Sequence, residues 1–252
     1  SQSSGATSAS TAPMLYTRRM LALLYDVHGN AAALDAVLAD ARGQGADRWL
    51  LGGDYCLFGP EPEAALEHLR ALSPAMWLRG NGERWCAAPE ELGDDVHPIV
   101  PDAVAACRQA LGPAAIGELG ALAEQGVHDE TRYCHASPVS DVRSFLPQPA
   151  ADEAELLAGV TEPRLVFGHT HLPFRRISMT GGIELVNPGS VGLPFDRDPR
   201  AAYALVHDDR RVEHRRIPYD HGAAAARMRE RWPGAAWAET VARRIEQSRG
   251  DV

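Results

Sequence analysis

The sequence predicts an α/β fold, and three observations carry that prediction. Between Met20 and Leu78, short apolar runs alternate with amphipathic helical patterns, the arrangement that builds a parallel sheet with helices on its faces. After Phe174 the alternation gives way to paired strands joined by short turns. The 252 residues are enough for one large domain with a substantial core.

Each element has a local reason. Ser1 to Pro13 is Ser, Thr, Ala and Gly with one Pro and no charge, which predicts a disordered extension, native or left over from cloning. Residues 14–252 are expected to form one domain. Met20–Tyr25 reads as a buried strand, and Ala31–Arg42 as a helix with Ala33, Leu34, Val37 and Leu38 on one face. Arg48–Leu51 is a second strand. Glu61–Leu72 is a helix opened by Pro60 and Pro62, and Met76–Leu78 is a third strand. Ala88 to Gly126 is read as mostly helical, with Arg132–Cys134 and Leu165–Phe167 as further short strands. Phe174–Ser178 and Ile183–Val186 flank Thr180-Gly181-Gly182, a hairpin signal. Ala202–Val206 and Val212–Ile217 form a second hairpin around His207 to Arg211. Two Arg- and Ala-rich helices, Gly222–Arg231 and Ala235–Gln247, follow. The pattern implies a parallel half followed by a more antiparallel half.

Composition removes several chemistries. All 25 basic residues are Arg, so no Lys amine is present for a Schiff base, a P-loop or a Ser/Lys pair. The formal net charge of −9 and the lack of a basic stripe argue against an extended nucleic-acid surface. Compact phosphate-bearing substrates stay open if metal ions bring positive charge locally. Cys56, Cys86, Cys107 and Cys134 form no CxxC pair and are too sparse for a disulfide scaffold, which fits a reducing cytoplasm. The apolar run Met20 to Tyr25 is too short to span a membrane.

The chemistry gathers after the strands. Asp26-Val27-His28-Gly29-Asn30 follows the first, Gly52-Gly53-Asp54 the second and Gly80-Asn81-Gly82-Glu83 the third. Cys134-His135 and Gly168-His169-Thr170-His171 end two later strands. In an open parallel sheet the carboxyl ends of the strands line the site, so these groups can converge. The D-x-H and H-x-H spacings would, in extended backbone, send two ligands the same way. A single His after a strand is usually a turn or core residue. Six such His and Asp residues with Asn81, all but His135 in glycine-bounded turns, point instead to a metal site. Carboxylate and amide oxygens mixed with imidazoles suit Mn, Fe, Zn or Co better than Ca or Mg. His68, His97, His128, His207, His214 and His221 fall elsewhere and read as structural or solvent-facing.

In this order and at these separations, DxHGN, GD, GN, a strand-end His and GHTH resemble the calcineurin-like metallophosphoesterases. The likeness is greatest to the small bacterial and archaeal phosphodiesterase branch, with Asn187-Pro188-Gly189-Ser190 after GHTH, and it spans about residues 20 to 217. The resemblance implies a four-layer α-β-β-α sandwich of two mixed sheets with a dinuclear metal centre. It implies two divalent transition-metal ions, Mn first, with Fe, Zn, Co or Ni as alternatives. Asp26, His28 and His171 would hold one ion, Asn81, His135 and His169 the other, and Asp54 both. Asp54, Asn81 and His135 would be catalytic through a metal-bridging hydroxide that attacks phosphorus in line. Asn30, Arg79 and Arg84 are the candidates for substrate contact.

Many relatives carry a general-acid His where this chain has Gly82, and such an acid contributes about 10²–10⁴-fold. Gly82 reads as a marker of the branch. Tyr25 replaces the Ser usual before the first Asp, and lining the entrance, stacking on a base and packing are all open to it. Cys56 and Cys134 read as small buried residues. The expected function is a cytoplasmic phosphodiesterase acting on a small phosphoester, nucleotide-like ones included. A phosphomonoesterase, such as a protein Ser/Thr phosphatase or a dinucleotide polyphosphate hydrolase, and a non-catalytic scaffold are the alternatives. A homo-oligomer stays open.

Overall fold

The computed structural model describes residues 20–93 and 96–251; the extension predicted over residues 1–13 lies outside them. The first three strands, β1 (Leu21–Leu24), β2 (Arg48–Leu51) and β3 (Ala75–Trp77), pair in parallel as the alternation requires. Between them run α1 (Ala31–Gln44) and α2 (Pro62–Arg70). Next come α3 (Asn81–Ala87), α4 (Val100–Gly120), β4 (Gln125–His128), β5 (Thr131–Cys134), α5 (Glu153–Leu156) and β6 (Arg164–Val166). The chain continues through β7 (Phe174–Ile177), β8 (Glu184–Asn187), β9 (Ala201–Val206), β10 (Val212–Ile217), α6 (His221–Arg231) and α7 (Ala236–Gln247).

The expected division into a parallel half and an antiparallel half does not form. Two five-stranded sheets are present, ordered β10-β9-β1-β2-β3 and β4-β5-β6-β8-β7, and each is mixed. Hairpin β7–β8 extends the second sheet, with β8 parallel to β6. Hairpin β9–β10 returns instead to the first sheet, where Leu21, Ala22 and Leu23 of β1 face Val206, Leu205 and Ala204 antiparallel. Both faces of β9 are buried there: Ala201, Tyr203 and Leu205 face the helical side and Ala204 the space between the sheets. Gln125 and Gly126, read as the end of a helical stretch, belong to β4 and pair with Cys134 and Tyr133. Within α4, Gly112 takes φ 75° ahead of Pro113 and breaks the helix in two.

Three apolar clusters define the layers. α1, α2, α4, α6 and α7 cover the outer face of the first sheet through residues such as Leu34, Leu66, Val104, Met228 and Val241. Leu23, Tyr25, Leu50, Tyr133, Val166 and Val186 fill the space between the sheets. Phe145, Leu156, Leu165, Phe167 and Leu185 close the outer face of the second sheet, where α5 is the only helix among the described residues. The result is the α-β-β-α order. Tyr25 is fully buried, and its hydroxyl donates to the Val166 carbonyl (3.4 Å) across the sheet interface. A β-carbon at Gly52 would stand 2.0 Å from its ring, so the first glycine of Gly52-Gly53-Asp54 makes room for it. Of the roles open to Tyr25, packing is the one the structure gives it. No helix among the described residues is long and apolar enough to cross a membrane.

Candidate metal centre

The parallel strands of both sheets end on the same side, and their C-terminal turns are sewn together by backbone hydrogen bonds. Asp26 N donates to Gly53 O (3.1 Å), His28 N to Asp54 O (2.8 Å) and Gly168 N to His135 O (2.7 Å). Asn187 Nδ2 donates to Gly168 O (3.1 Å) and Thr170 Oγ1 (3.0 Å), and Ser190 Oγ donates to Asp26 O (2.7 Å). The NPGS turn therefore braces both the DxH and the HxH turns.

The turns are not extended. Asp26, His28, Asp54, His169 and His171 all have positive φ, between 49° and 68°, and make up five of the eleven non-glycine residues with positive φ among those described. Left-handed backbone costs an L-residue roughly 1–3 kcal/mol at such sites, and it persists only where the surroundings impose it. The expectation of extended D-x-H and H-x-H spacing is corrected accordingly. Asp26 and His28 still converge, but His169 and His171 part company.

Asp26, His28 and His171 bring ligand atoms within 4.8 Å of one another, and so do Asp26, Asp54 and His135. His28 Nε2 faces His171 Nε2 at 3.1 Å, and His171 Nε2 lies 3.6 Å from Asp26 Oδ1. Asp54 stands between the halves, with Oδ2 3.8 Å from His28 Nε2 and Oδ1 3.6 Å from His135 Nε2. Asn81 lies 2.9 Å from His135 Nε2. Among protein groups alone, the amide is satisfied by donating to His169 Nδ1 (2.9 Å) and the Asp141 carbonyl (3.1 Å); turned the other way, its Oδ1 faces His135 Nε2 and can serve a cation. His169 meets His135 edge-on, with ring centroids 5.4 Å apart. All seven predicted side chains thus meet at one end of the sandwich. They divide as Asp26, His28 and His171 on one side, and Asn81, His135 and His169 on the other.

The protonation pattern says what this cluster can hold. Nδ1 of His28, His135 and His171 each faces a backbone carbonyl, of Leu57, Gly52 and Leu193 respectively. A carbonyl only accepts, so Nδ1 carries the proton and the neutral ring turns the Nε2 lone pair inward. Two inward lone pairs at 3.1 Å repel unless a cation lies against them. Asp26 is fully buried, and its Oδ1 has no hydrogen-bond partner. An orphaned buried carboxylate oxygen beside imidazole lone pairs fits a divalent cation, which would satisfy both.

Electrostatics agree for three of the four imidazoles. Burial pushes the Asp26 carboxyl up to about 8. Burial first, then the Asp54 charge, pushes Glu83 to about 7. Burial lowers His28 and His171, and takes His169 down to about 4, keeping these rings neutral as ligands must be. Burial works against the charged forms of Asp54 and His135 too. Their mutual attraction outweighs it, holding Asp54 below and His135 above their usual ranges. Phe195 stacks on His171 at 4.3 Å and Phe58 leans on His28 at 5.9 Å, fixing both rings.

Asn30 has a different job from the substrate contact expected of it. It is buried, its Oδ1 accepts from Ala33 N (3.2 Å) as the cap of α1, and its Nδ2 donates to Gly192 O (2.9 Å) and Tyr219 Oη (3.1 Å). Asn30→Ala is therefore expected to cost about 1–2 kcal/mol of stability. That would lower the melting temperature by several degrees in a thermal scan while leaving KM within twofold. Arg79 and Arg84 flank the Asn81 turn as expected, but both guanidiniums are already paired. Arg79 bonds Glu124 and Gly120 O, and Arg84 grips Asp141. At the position of the missing acid, Gly82 N donates to Asp54 Oδ1 (2.7 Å), and a β-carbon there would stand 2.9 Å from that oxygen.

Glu83 is the residue the sequence reading passed over. Its carboxylate accepts from Asp54 N (2.8 Å), Tyr55 N (2.8 Å) and Gly80 N (2.9 Å), tying the GGD turn to the GN turn from behind. Its only sequence signal is an acid in the first turn of a helix, a common helix-start preference.

A family model for the calcineurin-like phosphoesterase superfamily domain matches residues 20–211. The chain is 26% identical over 224 residues to an uncharacterized protein of Methanocaldococcus jannaschii, covering 81% of this chain and 89% of that protein. Among solved structures, a metallophosphoesterase from Sphaerobacter thermophilus is 27% identical with a TM-score of 0.77, covering 91% of this chain and 99% of that one. A hypothetical protein from Pyrococcus horikoshii OT3 shares the fold at 20% identity, with a TM-score of 0.74 over 90% of this chain and 97% of that one.

Proposed function

The chain belongs to the calcineurin-like phosphoesterase superfamily, and from that premise we propose that it is a phosphodiesterase dependent on two divalent transition-metal ions. Manganese is the first choice, with iron, zinc, cobalt or nickel as alternatives, since imidazole, carboxylate and amide donors are mixed. One observation carries the reading: the buried, partnerless Asp26 Oδ1 among inward-facing imidazole nitrogens. Asp26, His28 and His171 would hold one ion, Asn81, His135 and His169 the other, and Asp54 would touch both.

When bound, such ions neutralise phosphoryl oxygens and lower the pKa of water enough to make it a nucleophile near neutral pH. The chain's own residues do the remaining work. The carbonyls of Leu57, Gly52 and Leu193 lock the three imidazoles in the tautomer that presents Nε2. Gly82 N and the Glu83 carboxylate fix the Asp54 side chain and backbone. Buried unpaired thiols at Cys56, Cys86, Cys107 and Cys134 suit a reducing compartment, and we place the protein in the cytoplasm.

The manganese-loaded enzyme is expected to hydrolyse bis-(p-nitrophenyl) phosphate with at least tenfold higher kcat/KM than p-nitrophenyl phosphate. Both test esters release p-nitrophenolate, which needs no acid at Gly82, so they compare diester with monoester directly. The reverse preference would turn the reading to a phosphomonoesterase. Less than one ion per chain by elemental analysis, with no ester hydrolysed, would turn it to a scaffold.

A further inference from the structure

A cavity of about 230 Å³ opens beside His135. Arg79 and Arg84 wall it from around the Gly80-Asn81 turn, Glu124 from just before β4, and Ser137, Ser140 and Asp141 from the loop after β5. It adjoins the metal centre directly, since His135 is part of its wall and the Asn81 amide lies 3.1 Å from the Asp141 carbonyl. The volume is below the roughly 300–1,000 Å³ of pockets that take a whole drug-sized ligand, so it suits one arm of a substrate.

Charge decides which arm. Arg84 Nε and Nη2 donate to Asp141 Oδ2 (2.6 Å) and Oδ1 (2.9 Å) in a bidentate fork, and Arg79 is paired with Glu124. Two guanidiniums against two carboxylates leave the walls neutral. A second phosphate held by Arg84 would have to strip it from Asp141 and strand a part-buried carboxylate. Among the described residues, no aromatic face other than His135 lines the cavity, so the stacking platform a nucleobase uses is missing. What the walls do offer is donors and acceptors side by side. Ser137 Oγ spends its proton on the Ser140 carbonyl and can still accept, and Ser140 Oγ accepts from two backbone N–H groups and can still donate. A hydroxyl both donates and accepts, so a group bearing several hydroxyls matches this lining.

We propose that the cavity is a subsite for a neutral polyhydroxylated arm of the phosphodiester, a glyceryl or sugar group, in preference to a nucleobase or a second phosphate. The proposal rests on the phosphodiesterase reading. Two diesters with one leaving group test it on the manganese-loaded enzyme, p-nitrophenyl glyceryl phosphate and p-nitrophenyl ethyl phosphate. Turnover is counted by chromatography as glycerol phosphate or ethyl phosphate formed, since the neighbouring hydroxyl of the glyceryl ester can also expel p-nitrophenolate by cyclising. The glyceryl ester is expected to have about tenfold higher kcat/KM, the worth of one or two hydrogen bonds, expressed mainly in KM. In Ser137→Ala and Arg84→Gln the preference should shrink to within about threefold. Equal kcat/KM for the two esters, or a preference that survives both substitutions, overturns the subsite. If neither ester is turned over, the phosphodiesterase reading itself fails. Saturation-transfer NMR on the zinc-loaded protein, with glycerol 1-phosphate against ethyl phosphate, then decides the subsite. Saturation of the glycerol carbinol protons that disappears in Arg84→Gln supports it, and equal saturation of both ligands overturns it.

Discussion

Asp54→Ala is expected to remove phosphoester hydrolysis, lowering kcat/KM by about 10³-fold or more. Metal ions contribute several kcal/mol of charge stabilisation, and each 1.4 kcal/mol is a factor of ten. The size of the effect follows from position. Asp54 turns its two oxygens to opposite halves of the centre, Oδ2 towards the His28 imidazole and Oδ1 towards that of His135. Stability should fall with it. Burial opposes the Asp54 charge, but the attraction of His135 and His28 and the hydrogen bond from Gly82 N hold its carboxyl below the usual range. The metal-free variant therefore loses that attraction, strands the Gly82 N–H and should melt below metal-free wild type at neutral pH. Adding manganese should then raise the wild-type melting temperature, since ligand at 100 times its Kd contributes about 2.7 kcal/mol, and leave the variant where it was. Elemental analysis should show at least one ion fewer per chain. Full activity in this variant would refute the whole ligand assignment.

The proposed ligands were legible because metal chemistry restricts them to a few residue types and the α/β fold restricts them to strand ends. Asp26, His28, Asp54, Asn81, His135, His169 and His171 satisfy both conditions, and glycines mark every turn except that of His135. What was not legible depends on distance along the chain. The engagement of Arg84 with Asp141 spans 57 residues, and that of Asn30 with Tyr219 spans 189, so neither the neutral cavity nor the inward anchoring of Asn30 could be read locally. The return of β9 to β1 is likewise a non-local pairing, and the apolar alternation of Ala201–Val206 fits either sheet equally well. Tyr25 illustrates a subtler failure. Its neighbour Asp26 suggested a place at the entrance, yet strand periodicity puts Leu21, Leu23 and Tyr25 on one face, and that face lies between the sheets. The left-handed turns were missed because spacing alone carries no φ. A non-glycine residue in that region is evident only once the surrounding backbone is seen.

The absence of Lys and the net charge of −9 gain a physical sense from the same geometry. Buried negative charge is concentrated where cations would neutralise it. Elsewhere Arg is committed to fork-like pairs, with Arg215 on Asp40 and Arg132 on Glu162 as examples. A cavity built from such pairs reads hydroxyls, whereas unpaired Lys side chains in the same place would read anions.

Glu83→Leu tests whether the support behind the centre matters as much as the ligands in front of it. Leucine fills the volume but strands the N–H groups of Asp54, Tyr55 and Gly80, all now held by the carboxylate. Each buried donor left unpaired costs about 1–3 kcal/mol, so the unfolding free energy should fall by about 3 kcal/mol or more, read from the denaturant midpoint. Glu83→Gln should lie between the two. Its single carbonyl oxygen can still serve Asp54 N and Gly80 N, which share Oε2, while its NH₂ would confront Tyr55 N. Stability alone would not distinguish a positioning role from ordinary packing, so Leu23→Ala serves as the comparison. Leu23 is fully buried between the sheets, away from the ligand turns, and its truncation costs a similar 2–5 kcal/mol. Metal affinity measured by calorimetry under native conditions should fall about 10–100-fold in Glu83→Leu, the usual effect of removing a group that orients ligands, and should hold in Leu23→Ala. Glu83 fastens Asp54 and the Gly80-Asn81 turn to one carboxylate, so releasing it lets a ligand from each half drift apart. Equal affinities in the two variants would reduce Glu83 to a buried acid that merely fills its place.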